Sequence, residues 1–304
     1  MHPVGTEFVA RRPRLATLAV LGVALMSLLA AGPASAAKRK PMPKNAPVVA
    51  GSGYLALGDS ETFGYVESSV VPAPNYADQS SFVGYPELLA SELHLKVANA
   101  ACPGETSTTM INPSAQSNGC ENSPGNPHLG YRLAYPLHVH YQGSQLAFAL
   151  SYLRAHANVR LVTLMIGAND GLICIETTPD GCTSPAELGA VLTQLRTNIT
   201  QILTTIRRKA HYRGQIVIVN YDSPLISFNP RVVLLNAAID AVAKPFGVLV
   251  ADGYGEFQTA DADSGGSPCV AGLLTQLSTG GCGIHPSYAG QSLLAQAVEK
   301  VIRL

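Results

Sequence analysis

The segment Val159 to Ile166 is apolar at almost every position. A strand that alternates apolar and polar residues can leave one face in water, but a continuous apolar strand must be covered on both faces. Other short apolar runs punctuate the chain at Tyr54–Leu57, Val97–Ala101, Gln215–Asn220 and Val248–Ala251. Between them lie stretches with helical spacing: Pro86–Leu95, Gln145–Ala155, Pro185–Arg208 and Arg231–Lys244. A last helix starts near Ser287, a residue suited to an N-cap, and puts Leu293, Leu294, Ala297, Val298 and Val301 on one face. Strand–helix alternation with doubly covered strands predicts an α/β fold, a three-layer α/β/α sandwich around a central parallel sheet.

The first forty residues differ from the rest. Arg11, Arg12 and Arg14 precede an apolar run from Leu15 to about Ala31, and Ala34-Ser35-Ala36 follows. A basic region, an apolar region and a small-residue triplet form the layout of a secretory signal peptide, with cleavage expected after Ala36. Residues 1–36 are thus read as a signal peptide and 37–50 as a disordered lead-in. Residues 51–304 are read as one folded domain, and cleavage leaves about 265 residues, a size that fits a single α/β unit. No other segment reads as long and apolar enough to span a bilayer, so a secreted protein without a stable membrane anchor is expected.

Six cysteines, at 102, 120, 174, 182, 269 and 282, contain no C-x-x-C spacing, which argues against zinc. An even number in an exported chain argues for disulfides. The positions fall into three local couples, and the expected bonds are Cys102–Cys120, Cys174–Cys182 and Cys269–Cys282. Twenty basic residues balance twenty acidic ones, so bulk charge favours neither nucleic acid nor an anionic surface. No cofactor or metal is implied, and oligomeric state is open.

In parallel sheets, ligands collect beyond the carboxyl ends of the strands. Three polar signatures stand there: Gly58-Asp59-Ser60, Cys102-Pro103-Gly104-Glu105 and Gly167-Ala168-Asn169-Asp170. A fourth, Gly283-Ile284-His285-Pro286, precedes the last helix. The nucleophile-elbow pattern G-x-S-x-G is absent, which disfavours the usual α/β-hydrolase arrangement. In order and spacing the four blocks resemble those of the SGNH, or GDSL, hydrolase family, and the resemblance runs from Tyr54 to the C-terminus.

That resemblance implies a serine hydrolase acting on carboxylic esters, an esterase or lipase whose substrates are small-molecule or lipid esters. Ser60 would be the nucleophile and His285 its general base. Ser60 N–H, Gly104 N–H and the Asn169 side chain would form the oxyanion hole, and Asp59 would support the turn. The family usually has an aspartate three residues before the histidine, where this chain has Cys282. The expected substitute is a main-chain carbonyl at Cys282, with Asp252 as the alternative acid. A carbohydrate O-deacetylase on the same scaffold and a non-catalytic secreted binding module are the competing readings. Absence of Trp weakens the first, and the presence of all four matched residues weakens the second.

Overall fold

The computed structural model describes residues 43–304. The expected signal peptide and the start of the expected lead-in lie outside the described residues. From residue 43 onward the lead-in reading is corrected. Ala46 and Val48 are buried, Asn45 N–H donates to Arg213 C=O at 2.7 Å, and Val48 N–H donates to Arg303 C=O at 2.8 Å. Two small apolar residues in a proline-bearing stretch carry too little periodicity to announce that packing.

In chain order the elements are β1 (Gly53–Gly58), α1 (Ser60–Phe63), α2 (Tyr85–Glu92), β2 (Lys96–Asn99), α3 (Tyr131–Ala134), α4 (Gln145–Ala155), β3 (Val159–Met165) and α5 (Ala168–Thr177). There follow α6 (Pro185–Thr204), β4 (Gln215–Val219), α7 (Asn229–Ala243), β5 (Leu249–Ala251), α8 (Gly253–Ala260), β6 (Leu274–Gln276), β7 (Cys282–Pro286) and α9 (Tyr288–Val301). Five parallel strands form the central sheet in the order β2-β1-β3-β4-β5. Every residue of β1 and β4 is buried, as doubly covered strands require. Helices α2 and α9 pack together on one side, with α9 against β4 and β5, while α6 packs with α7, which meets the same strands. This is the three-layer α/β/α arrangement read from the strand pattern.

The strand order reverses direction between β1 and β3, since the chain moves outward to β2 and then returns past β1. Such a reversal leaves a crevice beyond the carboxyl ends of the two strands, because their connections depart to opposite faces. The turn after β1 holds Ser60, and the turn after β3 holds Asn169.

Sequence patterning left five features unassigned: the short helices α1 and α3, α5, α8 and the antiparallel pair β6–β7. The stretch Ile226–Phe246 also corrects the membrane reading, because its 21 residues at mean hydropathy 1.2 are enough by length and composition to cross a bilayer. In the fold its α7 portion sends Ala238, Ile239, Val242 and Ala243 into the core. Helical spacing was legible over Arg231–Lys244, but Arg231, Asp240 and Lys244 interrupt the apolar run and kept it from reading as a span. All three disulfides join the expected couples, Cys102–Cys120, Cys174–Cys182 and Cys269–Cys282.

Candidate active site

Ser60 is the first residue of α1, a single turn that starts directly off β1. Asp59 caps that turn by accepting from Glu61 N–H at 3.1 Å, and its other oxygen accepts from Tyr221 O–H at 2.5 Å. Burial pushes the Asp59 carboxyl up to about 6, against the pull of the Tyr221 bond. Gln145 at the start of α4 grips the strand end from both sides: its Oε1 accepts from Gly58 N–H at 2.7 Å and its Nε2 donates to Gly58 C=O at 3.0 Å. Ser60 is therefore held by a fixed strand end and a capped turn.

The second block forms the turn after β2. Gly104 adopts φ +80°, and a Cβ there would lie 2.4 Å from Asn118 C=O, so only glycine fits. The Cys102–Cys120 bond ties this turn to the segment carrying Asn118. Among the described residues neither Ser60 N–H nor Gly104 N–H has a hydrogen-bond acceptor.

Asn169 is the second residue of α5. Its Nδ2 donates one hydrogen to Glu105 C=O at 3.0 Å, leaving the other for the cavity, while Asn118 Nδ2 donates to its Oδ1 at 3.0 Å. Asn118 thereby fixes which end of the Asn169 amide faces which way. Asp170 braces the same region by accepting from Ser107 N–H at 2.8 Å and Ser107 O–H at 2.6 Å.

His285 lies on β7, whose first residue, Cys282, is bonded to Cys269. Its Nδ1 is 2.8 Å from Glu67 Oε1, with side-chain exposures of 13% for the histidine and 20% for the glutamate. Oε1 also accepts from Ile284 N–H at 2.9 Å, and Oε2 accepts from Thr275 O–H at 2.6 Å. Burial raises the Glu67 pKa, but the bond and charge of His285 and the Thr275 bond outweigh it and bring the carboxyl down to about 2. Glu67 is thus a carboxylate at any ordinary pH.

This corrects the expected orienting group. Neither the Cys282 carbonyl nor Asp252 holds the imidazole. Asp252 caps α8 instead, accepting from Gly255 N–H at 3.0 Å and Asn220 Nδ2 at 3.1 Å. Motif spacing missed Glu67 because it enters from the loop after α1, 218 residues before its partner. One signal was available: Glu67 and Asp78 are the only acids in residues 66–81, and Glu67 stands seven positions after Ser60.

Ser60, Gly104, Asn169 and His285 all line one cavity of about 420 Å³. Its polar end holds these four residues and Asn118. Its other end runs between α5, α6 and α7 and is walled by Leu172, Ile175, Leu188, Leu192, Val232 and Leu235. Cys182, bonded to Cys174, also lines it, so a disulfide braces the junction of α5 and α6. A serine and an amide side chain at the polar end of a cavity with an apolar arm can receive a carbonyl group carrying a hydrocarbon chain.

Comparison with known proteins bears on the fold and the family. The chain is similar in fold to phospholipase A1 from Streptomyces albidoflavus NA297, at 19% identity and a TM-score of 0.52, covering 83% of this chain and 99% of that one. It is also similar to a putative GDSL-like lipase from Parabacteroides merdae ATCC 43184, at 15% identity, a TM-score of 0.51 and coverage of 85% and 98%. A third similar structure is Axe2, an acetylxylan esterase from Geobacillus stearothermophilus, at 14% identity, a TM-score of 0.50 and coverage of 84% and 95%. No curated protein matches the chain. The model of the GDSL-like Lipase/Acylhydrolase family matches residues 56–293, a span that takes in all four blocks and Glu67. The chain belongs to the GDSL-like lipase/acylhydrolase family of hydrolases.

Proposed function

We propose that this protein is a serine carboxylic-ester hydrolase, an esterase or lipase, that passes through an acyl-Ser60 intermediate. The observation that carries the reading is the convergence of Ser60, His285 paired to Glu67, and the donors at Gly104 and Asn169 on one cavity with an apolar arm.

In this mechanism Ser60 Oγ attacks the ester carbonyl and gives its proton to His285 Nε2. Nδ1–H stays on Glu67, whose charge steadies the imidazolium. The oxyanion of the tetrahedral intermediate accepts from Ser60 N–H, Gly104 N–H and Asn169 Nδ2. Collapse breaks the bond to the alcohol, which leaves with the proton from His285. Water, deprotonated by His285, then attacks acyl-Ser60 by the same route and releases the carboxylic acid.

The apolar arm supports an acyl chain longer than acetyl. Three exposed apolar residues, Leu225, Ile226 and Ile284, lie in or beside segments that line the cavity, which suits a lipidic ester. The layout of residues 1–36 and the three disulfides support action outside the cell. Hydrolysis of p-nitrophenyl acetate, butyrate and palmitate tests the reading. Turnover that favours the longer chains and disappears in Ser60→Ala and His285→Ala is expected. Activity on acetate esters alone would move the reading to the deacetylase, and inactivity on every ester would move it to the binding module.

A further inference from the structure

Glu61 follows the nucleophile directly, and Asp222 lies just beyond β4. Both line the cavity, yet both are buried, at 9% and 2% exposure. Both oxygens of Asp222 and Oε2 of Glu61 meet no donor among the described residues. What these carboxyl groups meet is each other, within hydrogen-bonding reach. Two carboxylates cannot bond without a proton between them, and two adjacent buried charges with no hydrogen-bond donor between them are untenable.

We infer that Glu61 and Asp222 share one proton at neutral pH, and that this carboxyl–carboxyl hydrogen bond is a positioning device tying the Ser60 turn to the end of β4. Glu61 supplies the donor and Asp222 the acceptor. Burial and the charges of Asp222 and Asp59 raise Glu61 well above the usual carboxylate range, while burial brings Asp222 to about 7. The titratable groups facing the pair are Asp59 on the same turn, Tyr221 beside Asp222, and His285 on β7. Arg231 of α7 lines the same cavity. From α9, Gln291 Nε2 donates to Glu61 C=O at 3.0 Å and gives the turn a second tie that does not titrate.

Loss of the shared proton leaves two facing charges and pushes the turn away from β4, so Ser60 leaves the donors that serve it. Glu61→Gln keeps a donor to Asp222 and has no proton to lose. The inference rests on the ester-hydrolase reading for its kinetic arm only. In that arm kcat is followed from pH 5 to 10, each protein scaled to its own maximum. The expected result is an alkaline fall in the parent that moves up by about one pH unit or more in Glu61→Gln. Glu61→Leu, which strips Asp222 of its donor, loses about tenfold in kcat at neutral pH, and the glutamine variant recovers most of it.

The second arm needs no activity. Urea midpoints are measured from pH 5 to 9 in the parent, Glu61→Gln, Asp222→Asn and the double variant. The folded chain holds protons that unfolded carboxyls release at ordinary pKa, so the parent midpoint falls as pH rises. The double variant loses the pair's share of that fall and keeps the shares of Asp59 and Asp170, whose carboxyls burial also raises, and the two single effects are non-additive because the groups share one proton. Infrared difference spectra at pH 8 are expected to show a protonated carboxyl in the parent that Glu61→Gln lacks. An unmoved alkaline limb, additive single effects, or no such band overturns the inference. A chain inactive on every ester would sink the ester-hydrolase reading while leaving the urea and infrared arms decisive.

Discussion

Glu67 gathers four donors on one side chain, from His285 Nδ1 at 2.8 Å, Ile284 N–H at 2.9 Å, Thr275 O–H at 2.6 Å and His285 N–H at 3.4 Å. A carboxylate so engaged holds the imidazole in one tautomer and, in the proposed mechanism, would offset its charge on taking the Ser60 proton. Glu67→Ala is therefore expected to lower kcat by about 10³–10⁴-fold, as happens when a triad carboxylate is lost. Asp252→Ala is expected to leave kcat nearly unchanged and cost about 1 kcal/mol through the lost cap of α8, readable as a lower urea midpoint. The pH sign follows from the same contacts. The folded pKa of Glu67 is depressed to about 2 from its ordinary 4.5, so its stabilisation is complete above the ordinary value and fades as pH falls toward 2. Urea midpoints of the parent and Glu67→Gln should accordingly differ at pH 6 and converge toward pH 2. Ser60, Gly104, Asn169 and His285 stand in short blocks that the sequence displays locally, and the fold brings all four to one cavity. Glu67 was not legible in the sequence, because nothing in the spacing around His285 refers to a loop 218 residues away.

At the scale of elements, the apolar arm depends on how α5, α6 and α7 are held apart. Leu192→Trp should fill it from α6. The expected result is a loss of palmitate turnover with acetate turnover retained, read as the ratio of kcat/KM on the two p-nitrophenyl esters. The Cys174–Cys182 bond closes a loop of 8 residues, for which the chain-entropy relation gives about 2.5 kcal/mol. Replacing both cysteines with serine should lower the urea midpoint accordingly and weaken the preference for long chains. The strands and long helices were readable from periodicity, but α5 and α8 were hidden by their composition. Asn169, Asp170 and Gly171 read as a turn, and so do Gly253 and Gly255, since each is a poor helix former. Capping and packing override that preference: Asp252 accepts from Gly255 N–H, and Phe257 is buried. The β6–β7 pair was concealed for another reason. Its strands are short, and Gly280 and Gly281 occupy the loop between them.

At the scale of the molecule, continuous apolar strands imposed a doubly covered sheet, and the order β2-β1-β3-β4-β5 set the reversal beside β1 and β3, where Ser60 and Asn169 line one cavity. The core beneath that crevice is tightly enclosed: Leu161, Leu164 and Val217 are all at most 1% exposed. Leu164→Ala is expected to destabilise the fold by about 2–5 kcal/mol, mainly through the cavity it opens. The fold class was the most legible property of the chain because it rests on burial of whole strands. Pairing of charges across the crevice depends on tertiary contact and emerged only with the structure. The most direct test of the account is the rate at which a fluorophosphonate modifies the protein, followed by peptide mass analysis, in the parent, His285→Ala and Glu67→Ala. A single adduct on the Ser60 peptide is expected, abolished without His285 and slowed by orders of magnitude without Glu67. An adduct elsewhere, or a rate indifferent to Glu67, would contradict it.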